Sequence, residues 1–162
     1  RWAYAYREEL RQRVLQRVQG EALQRQQHTT FFQPFGRLPY RFSYLVYSLN
    51  SCVFSKKIEK LYSLGVNDII LDPGFGFNKT MEQNFEIAKN MDCLKCFNLP
   101  ILVGISRKSM VQHATGTNAN AALNGTTALN TLLLERGANI LRVHDTKEAK
   151  EAVNIFEHIY NV

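Results

Sequence analysis

A chain of 162 residues with 45% apolar content and a net charge of +6 is long enough to bury one ordinary core. It has no run of about 20 apolar residues, which excludes an α-helical membrane span; the longest apolar stretch, FSYLVYSLNSCVF at 42–54, is short and broken by polar residues. Three cysteines (Cys52, Cys93 and Cys96) form no disulfide framework, and no segment reads as a secretory leader, so a reducing cytoplasm is the expected compartment.

Residues 1–50 carry eight arginines, no lysine and three acids, whereas residues 51–162 carry nine lysines and three arginines against eleven acids. The chain therefore divides compositionally into an Arg-rich N-terminal segment, 1–50, and a second unit, 51–162. It opens on Arg1 rather than Met, so its natural N-terminus is expected to lie upstream. Residues 7–27 read as a helix with an apolar stripe of Leu10, Val14, Val18 and Ala22. Its arginines would suit an acidic partner, but no aromatic interleaving or finger motif accompanies them, so nucleic acid is not an expected partner.

From residue 51 helix and strand patterns alternate. A helix over 55–65 leads to the β run NDIILD (67–72), and a helix over 81–97 leads to PILVGIS (100–106). A helix near 119–136 leads to NILRVHD (139–145), and a last helix begins at Thr146. Short Ile/Leu/Val-rich strands separated by helices predict an α/β fold with a parallel sheet. Thr80-x-x-Gln83 and Asp145-x-x-Glu148 have capping-box spacing, and Gly65 and Gly137 stand where helices should stop.

The glycine-rich stretch LDPGFGFNKT (71–80) fits neither phosphate-binding template. Asn78 and Pro73 replace the glycines of a P-loop, and Lys79 replaces the third glycine of the dinucleotide fingerprint. Cys93 and Cys96 fall late in a predicted helix, where no dipole would lower a thiolate pKa. His28, His113 and His158 have no partners at ligand spacing, so no metal site is predicted. In a parallel α/β sheet the carboxyl ends of strands carry the chemistry. Three strands here end in polar clusters: Asp72; Ser106, Arg107 and Lys108; and Arg142, His144 and Asp145. Alternation puts Arg142 and His144 on one face and Leu141 and Val143 on the other, toward covering helices; Gly104 and Ser106 alternate likewise. Each residue also has a structural reading, with Asp72 or Asp145 as a helix cap, Lys108 in solvent and His144 in the core.

LDPGFGFNKTMEQN (71–84), LPILVGISRKSM (99–110), LNGTTALN (123–130) and ILRVHDTKEA (140–149) stand in the order and spacing of the last motifs of the dihydropteroate synthases, which the chain resembles over about residues 55–162. The resemblance implies a (β/α)8 TIM barrel of which this chain holds the last three βα units, an incomplete barrel preceded by an unrelated helical or irregular N-terminal segment. It implies condensation of 6-hydroxymethyl-7,8-dihydropterin diphosphate with p-aminobenzoate, giving dihydropteroate and diphosphate in folate synthesis, in a family targeted by sulfonamides. It also implies Mg2+ as cofactor, held by residues this chain lacks, and allows a homodimer.

The matched positions suit that chemistry. Asp72 would accept the adjacent N–H donors of the pterin edge, and Lys108 would hold the pterin's carbonyl side and pack its stem along the ring. Arg142 and His144 would meet the charge growing on the leaving diphosphate. Phe77 and Ser106 would contact p-aminobenzoate, with Gly104 and Arg107 flanking the site. The substrate amine is the nucleophile, so Lys108, Arg142 and His144 are the expected catalytic groups. Departures are the missing N-terminal half of the barrel, the absent Met-His pair of the fifth strand, and Asn78 in place of the glycine of GFGKT. Two other readings remain open: a non-catalytic binding or assembly piece, and another pterin-binding barrel such as a methyltetrahydrofolate methyltransferase, against which SRK and RVHD argue.

Overall fold

A computed structural model describes residues 43–160 together with two short strands at 3–6 and 30–32, with side chains from residue 53 onward. The Arg-rich helix expected at 7–27 and His28 lie outside the described residues. In chain order the elements are β1 (Ala3–Tyr6), β2 (Thr30–Phe32), α1 (Ser43–Ser63), β3 (Ile69–Leu71), α2 (Met81–Lys89), a 3-10 helix (Met91–Phe97), β4 (Leu102–Val103), α3 (Ser109–Thr115), α4 (Leu123–Glu135), β5 (Ile140–Val143) and α5 (Thr146–Tyr160).

The expected parallel pairing is present. β2 runs parallel to β3, with Phe31 opposite Ile70, and β4 runs parallel to β5, with Leu102 opposite Ile140. A parallel bridge from Leu71 to Ile101, with Leu71 N donating to Pro100 O at 2.8 Å, joins the two pairs. A half-open sheet would expose two edges of unpaired backbone. Here β1 lies antiparallel on β5, with Ala3 opposite Val143, and β2 lies along β3, so both added strands come from the first fifty residues, where the expectation was helix or irregular chain.

The core forms where the apolar pattern put it. Leu71, Val103, Ile105, Leu141 and Val143 are buried beneath the covering helices. Leu141 and Val143 are buried while Arg142 is intermediate and His144 exposed, which is the expected alternation. The capping box at α2 is formed: Gln83 N donates to Thr80 Oγ1 and Thr80 N donates to Gln83 Oε1. Gly65 has φ +78, Gly65 N donates to Tyr62 O and Val66 N donates to Leu61 O, ending α1 in a Schellman turn.

Several boundaries differ from the sequence expectation. α1 begins at Ser43, so the apolar stretch at 42–54 forms its first half rather than preceding it. The single helix expected over 81–97 is broken at Asn90, whose side-chain amide donates to Glu86 O at 2.9 Å and Glu86 Oε1 at 2.8 Å; the chain continues as a 3-10 helix. An asparagine whose side chain bonds the backbone of the preceding turn competes with helix propagation. The helix expected from 119 begins at Leu123, because Asn118 Oδ1 accepts from Asn120 N and Ala121 N and holds 118–121 in a turn. α3 was not expected at all. It packs closely on α4 at Gly125, where a Cβ would lie 2.6 Å from Thr115 Cγ2 and 2.9 Å from Val111 Cγ1.

Candidate functional site at the strand ends

The loop after β3 is built on backbone that glycine and asparagine favour. Gly74, Gly76 and Asn78 have φ of +70, +79 and +49, so Asn78 occupies a left-handed position at a modest steric cost. Asp72 at the strand end is 2% exposed and its Oδ1 accepts from Gly74 N at 2.7 Å. Gly76 N donates to Asn84 Oδ1 and Asn84 Nδ2 donates to Thr80 O, each at 2.7 Å, tying the loop to the first turn of α2.

Two lysines enter this loop. Lys79 Nζ donates to Gly74 O at 2.6 Å and Phe77 O at 3.1 Å. Burial lowers its pKa to about 8, with Asp72 opposing the shift and Lys108 adding to it. Lys108 crosses from the β4 end, donates to Phe75 O and places its ammonium 4.7 Å from the centroid of the Phe77 ring. A Cβ on Gly76 would lie 3.0 Å from Lys108 Cδ, so glycine opens the path for the lysine stem. Burial pushes the Lys108 pKa down, Arg142 pushes it further, and Asp72 opposes both.

At the next strand end Lys108 N donates to Ile105 O at 3.0 Å, closing a tight turn over 105–108. Ser106 is 2% exposed and its Oγ accepts from His144 N at 3.3 Å. Arg107 has φ +55, a conformation that costs a long side chain about 1–3 kcal/mol and persists only when its surroundings enforce it. They do: Arg107 Nε and Nη2 donate to Asp145 Oδ2 at 2.9 Å and Oδ1 at 2.6 Å. This fork holds the Asp145 carboxyl below its ordinary pKa. The carboxylate with capping-box spacing to Glu148 is thus engaged on both oxygens by Arg107. On β5, Arg142 lies over Gly104, where a Cβ would come within 2.7 Å of Nη2.

Asp72, Phe77, Lys108, Gly104 and Arg142 are therefore brought together by contacts or electrostatic coupling across three strand ends, while Ser106 and Arg107 rivet the β4 loop to His144 and Asp145. Cys93 and Cys96 are free thiols on the 3-10 helix, and burial pushes the Cys93 pKa up. Sequence reasoning missed Lys79, Asn84, Thr126 and Gln112. LNGTTALN carried Thr126 in plain view, but nothing in its pattern says that the Thr126 hydroxyl meets Arg107 N, 19 residues away, at 3.0 Å.

The sequence profile described as pterin binding enzyme matches residues 46–144. The chain belongs to the pterin-binding enzyme family. It is 39% identical over 106 residues to the bifunctional dihydropteroate synthase/dihydropteroate reductase of Helicobacter pylori, covering 65% of this chain and 28% of that protein. It is 37% identical over 106 residues to the dihydropteroate synthase of Escherichia coli, covering 64% of this chain and 38% of that protein. The chain thus spans well under half the length of these relatives. The solved dihydropteroate synthase of Yersinia pestis superposes with a TM-score of 0.68 at 36% identity, over 74% of this chain and 57% of that one. That of Thermus thermophilus in complex with 6HMPPP gives 0.70 at 28% identity, over 82% and 52%. The same protein with 4-aminobenzoate gives 0.68 at 29% identity, over 75% and 47%.

Proposed function

We propose that this pterin-binding chain carries the C-terminal part of a dihydropteroate synthase site, acting in folate synthesis on 6-hydroxymethyl-7,8-dihydropterin diphosphate and p-aminobenzoate. The observation that carries the reading is Lys108, whose half-buried ammonium is anchored to Phe75 O and the Phe77 ring and coupled electrostatically to Asp72 and Arg142. A planar heterocycle with a donor edge suits such a carboxylate and lysine pair. The sheet corresponds to the last three βα units of a (β/α)8 barrel, preceded by β2 and α1. The Arg-rich segment, 1–50, and the pterin-binding unit, 51–162, divide in this reading within α1, close to residue 46 where the family match begins.

In this reading Asp72 accepts from the pterin edge, and Lys108 holds the pterin carbonyl side. The amine nitrogen of p-aminobenzoate attacks the pterin methylene, the C–O bond to diphosphate breaks, and diphosphate leaves with the bonding pair while the amine sheds a proton. Arg142 and His144 stabilise the charge that develops on the leaving oxygen. Exposed Phe77 walls the second substrate, Ser106 and Arg107 border it, and Gly104 leaves room for the Arg142 guanidinium.

Among the described residues no three His, Cys, Asp or Glu side chains gather as ligands; the Mg2+ that the family implies would be held by the diphosphate oxygens and by residues this chain lacks. The same residues contain no helix long and apolar enough to cross a membrane. We place the chain in the cytoplasm and assign it a homodimer; Leu132, Ile155 and Ile159 are exposed apolar residues on its helices.

The test is to incubate the chain with the pterin diphosphate, p-aminobenzoate and Mg2+ and to follow diphosphate release, with pterin binding measured in parallel. Turnover lost in Arg142→Ala supports catalysis. Absence of both turnover and pterin binding would overturn the reading and favour a non-catalytic assembly role.

A further inference from the structure

Residues 106 and 107 of the turn after β4 meet residues 144 and 145 after β5 in consecutive order, Ser106 through its hydroxyl and Arg107 through its guanidinium. Arg107 is held at every polar group it owns. Its N–H donates to Thr126 Oγ1 at 3.0 Å, and its carbonyl accepts from Gln112 Nε2 at 2.8 Å. Nη1 donates to Ala119 O at 3.2 Å, beside the two bonds to Asp145. A turn that needs positive φ at its third residue ordinarily takes glycine or asparagine. An arginine there accepts local strain, so its side chain must do something a glycine cannot. The next residue is Lys108, whose direction is set by that turn and whose head group lies in the loop after β3.

We propose that Arg107 is a positioning residue: its fork to Asp145 locks the turn after β4 in a left-handed state and thereby aims Lys108 across the site against Phe75 and Phe77. The inference rests on the pterin reading only for what Lys108 binds; its geometric content stands apart from it. It assigns the guanidinium to a neighbouring loop rather than to direct substrate contact. The charged groups that surround the Lys108 head are Asp72 from β3, Lys79 from the following loop and Arg142 from β5.

The test uses the full chain with 13C-labelled lysine. The Lys108 Cε resonance is identified by its loss in Lys108→Arg and titrated in the wild type, Asp145→Asn, Arg107→Gly and Arg107→Lys. Asp145→Asn removes the fork's acceptor charge without touching the turn, and Arg107→Gly removes the fork while relieving the positive φ. Both are expected to move the Lys108 titration up toward the ordinary 10.5 and to speed exchange of its amide at least tenfold, while Lys79, which loses only the smallest contribution to its shift, stays well below 10.5. Arg107→Lys, which keeps the charge but not the fork, restores only part of the wild-type behaviour. Lys108 titration and exchange unchanged in both Asp145→Asn and Arg107→Gly would overturn the proposal. If Arg107→Gly loses the Lys79 signature of a folded loop, Asp145→Asn alone decides. A wild-type chain that fails to bind the pterin diphosphate ends the functional reading and leaves this titration in force.

Discussion

Gly104 and Arg142 are complementary: the guanidinium lies where a side chain at 104 would begin, 2.7 Å from the position of an added Cβ. Gly104→Ala must therefore displace the guanidinium, the flexible end of a side chain, rather than backbone. The expected result is a small loss of stability, under about 1 kcal/mol, with roughly tenfold weaker binding of a diphosphate-bearing pterin. Calorimetric titration with that ligand and a thermal melt of the same variant separate the two effects.

Asn78 holds φ +49 in the loop after β3. Asn78→Ala should destabilise the chain by about 1 kcal/mol and Asn78→Gly should be neutral or slightly stabilising, read from urea midpoints at constant m. A larger cost for glycine than for alanine would contradict the left-handed assignment.

Thr80 closes the capping box of α2 through Gln83. Thr80→Ala should cost about 1 kcal/mol, visible in the urea midpoint, with Thr80→Ser recovering most of it. Since Asn84 also ties Thr80 O to Gly76 N, exchange of the Gly76 amide should quicken in Thr80→Ala.

Lys79 and Asp145 set opposite pH limbs. Lys79 titrates near 8 in the folded chain against an ordinary 10.5, so the unfolded chain binds more protons between those values and stability rises with pH across that window. Lys79→Met should remove this rise. Asp145 has a folded pKa below its ordinary 3.8, so the stability it contributes is present above that value and is lost as pH falls through the folded pKa. Asp145→Asn should flatten the acid limb. Urea titrations at several pH values read both.

Much of this was legible in the sequence because short-range chemistry carried it. The alternation of Leu141, Arg142 and Val143, the box of Thr80 and Gln83, and the stop at Gly65 are local patterns, and all three are present in the fold. The break at Asn90 and the extra helix Ser109–Thr115 were not legible. In the first the Asn90 side chain bonds the backbone of Glu86, and in the second Gly125 admits a neighbouring helix, and each outweighs the helical period. Within the site, the polar strand ends were visible, but their pairing was not. Arg107, expected to flank the site, is also forked to Asp145, 38 residues on, and nothing in sequence spacing joins the two.

Buried Asp72 and half-buried Lys108 and Arg142 are the proposed site for a pterin diphosphate. Calorimetric titration of the full chain with 6-hydroxymethyl-7,8-dihydropterin diphosphate tests it most directly. Saturable binding is expected, abolished in Asp72→Ala and weakened at least tenfold in Lys108→Ala and in Arg142→Ala. No binding by a folded wild-type chain, or binding indifferent to all three substitutions, would contradict it.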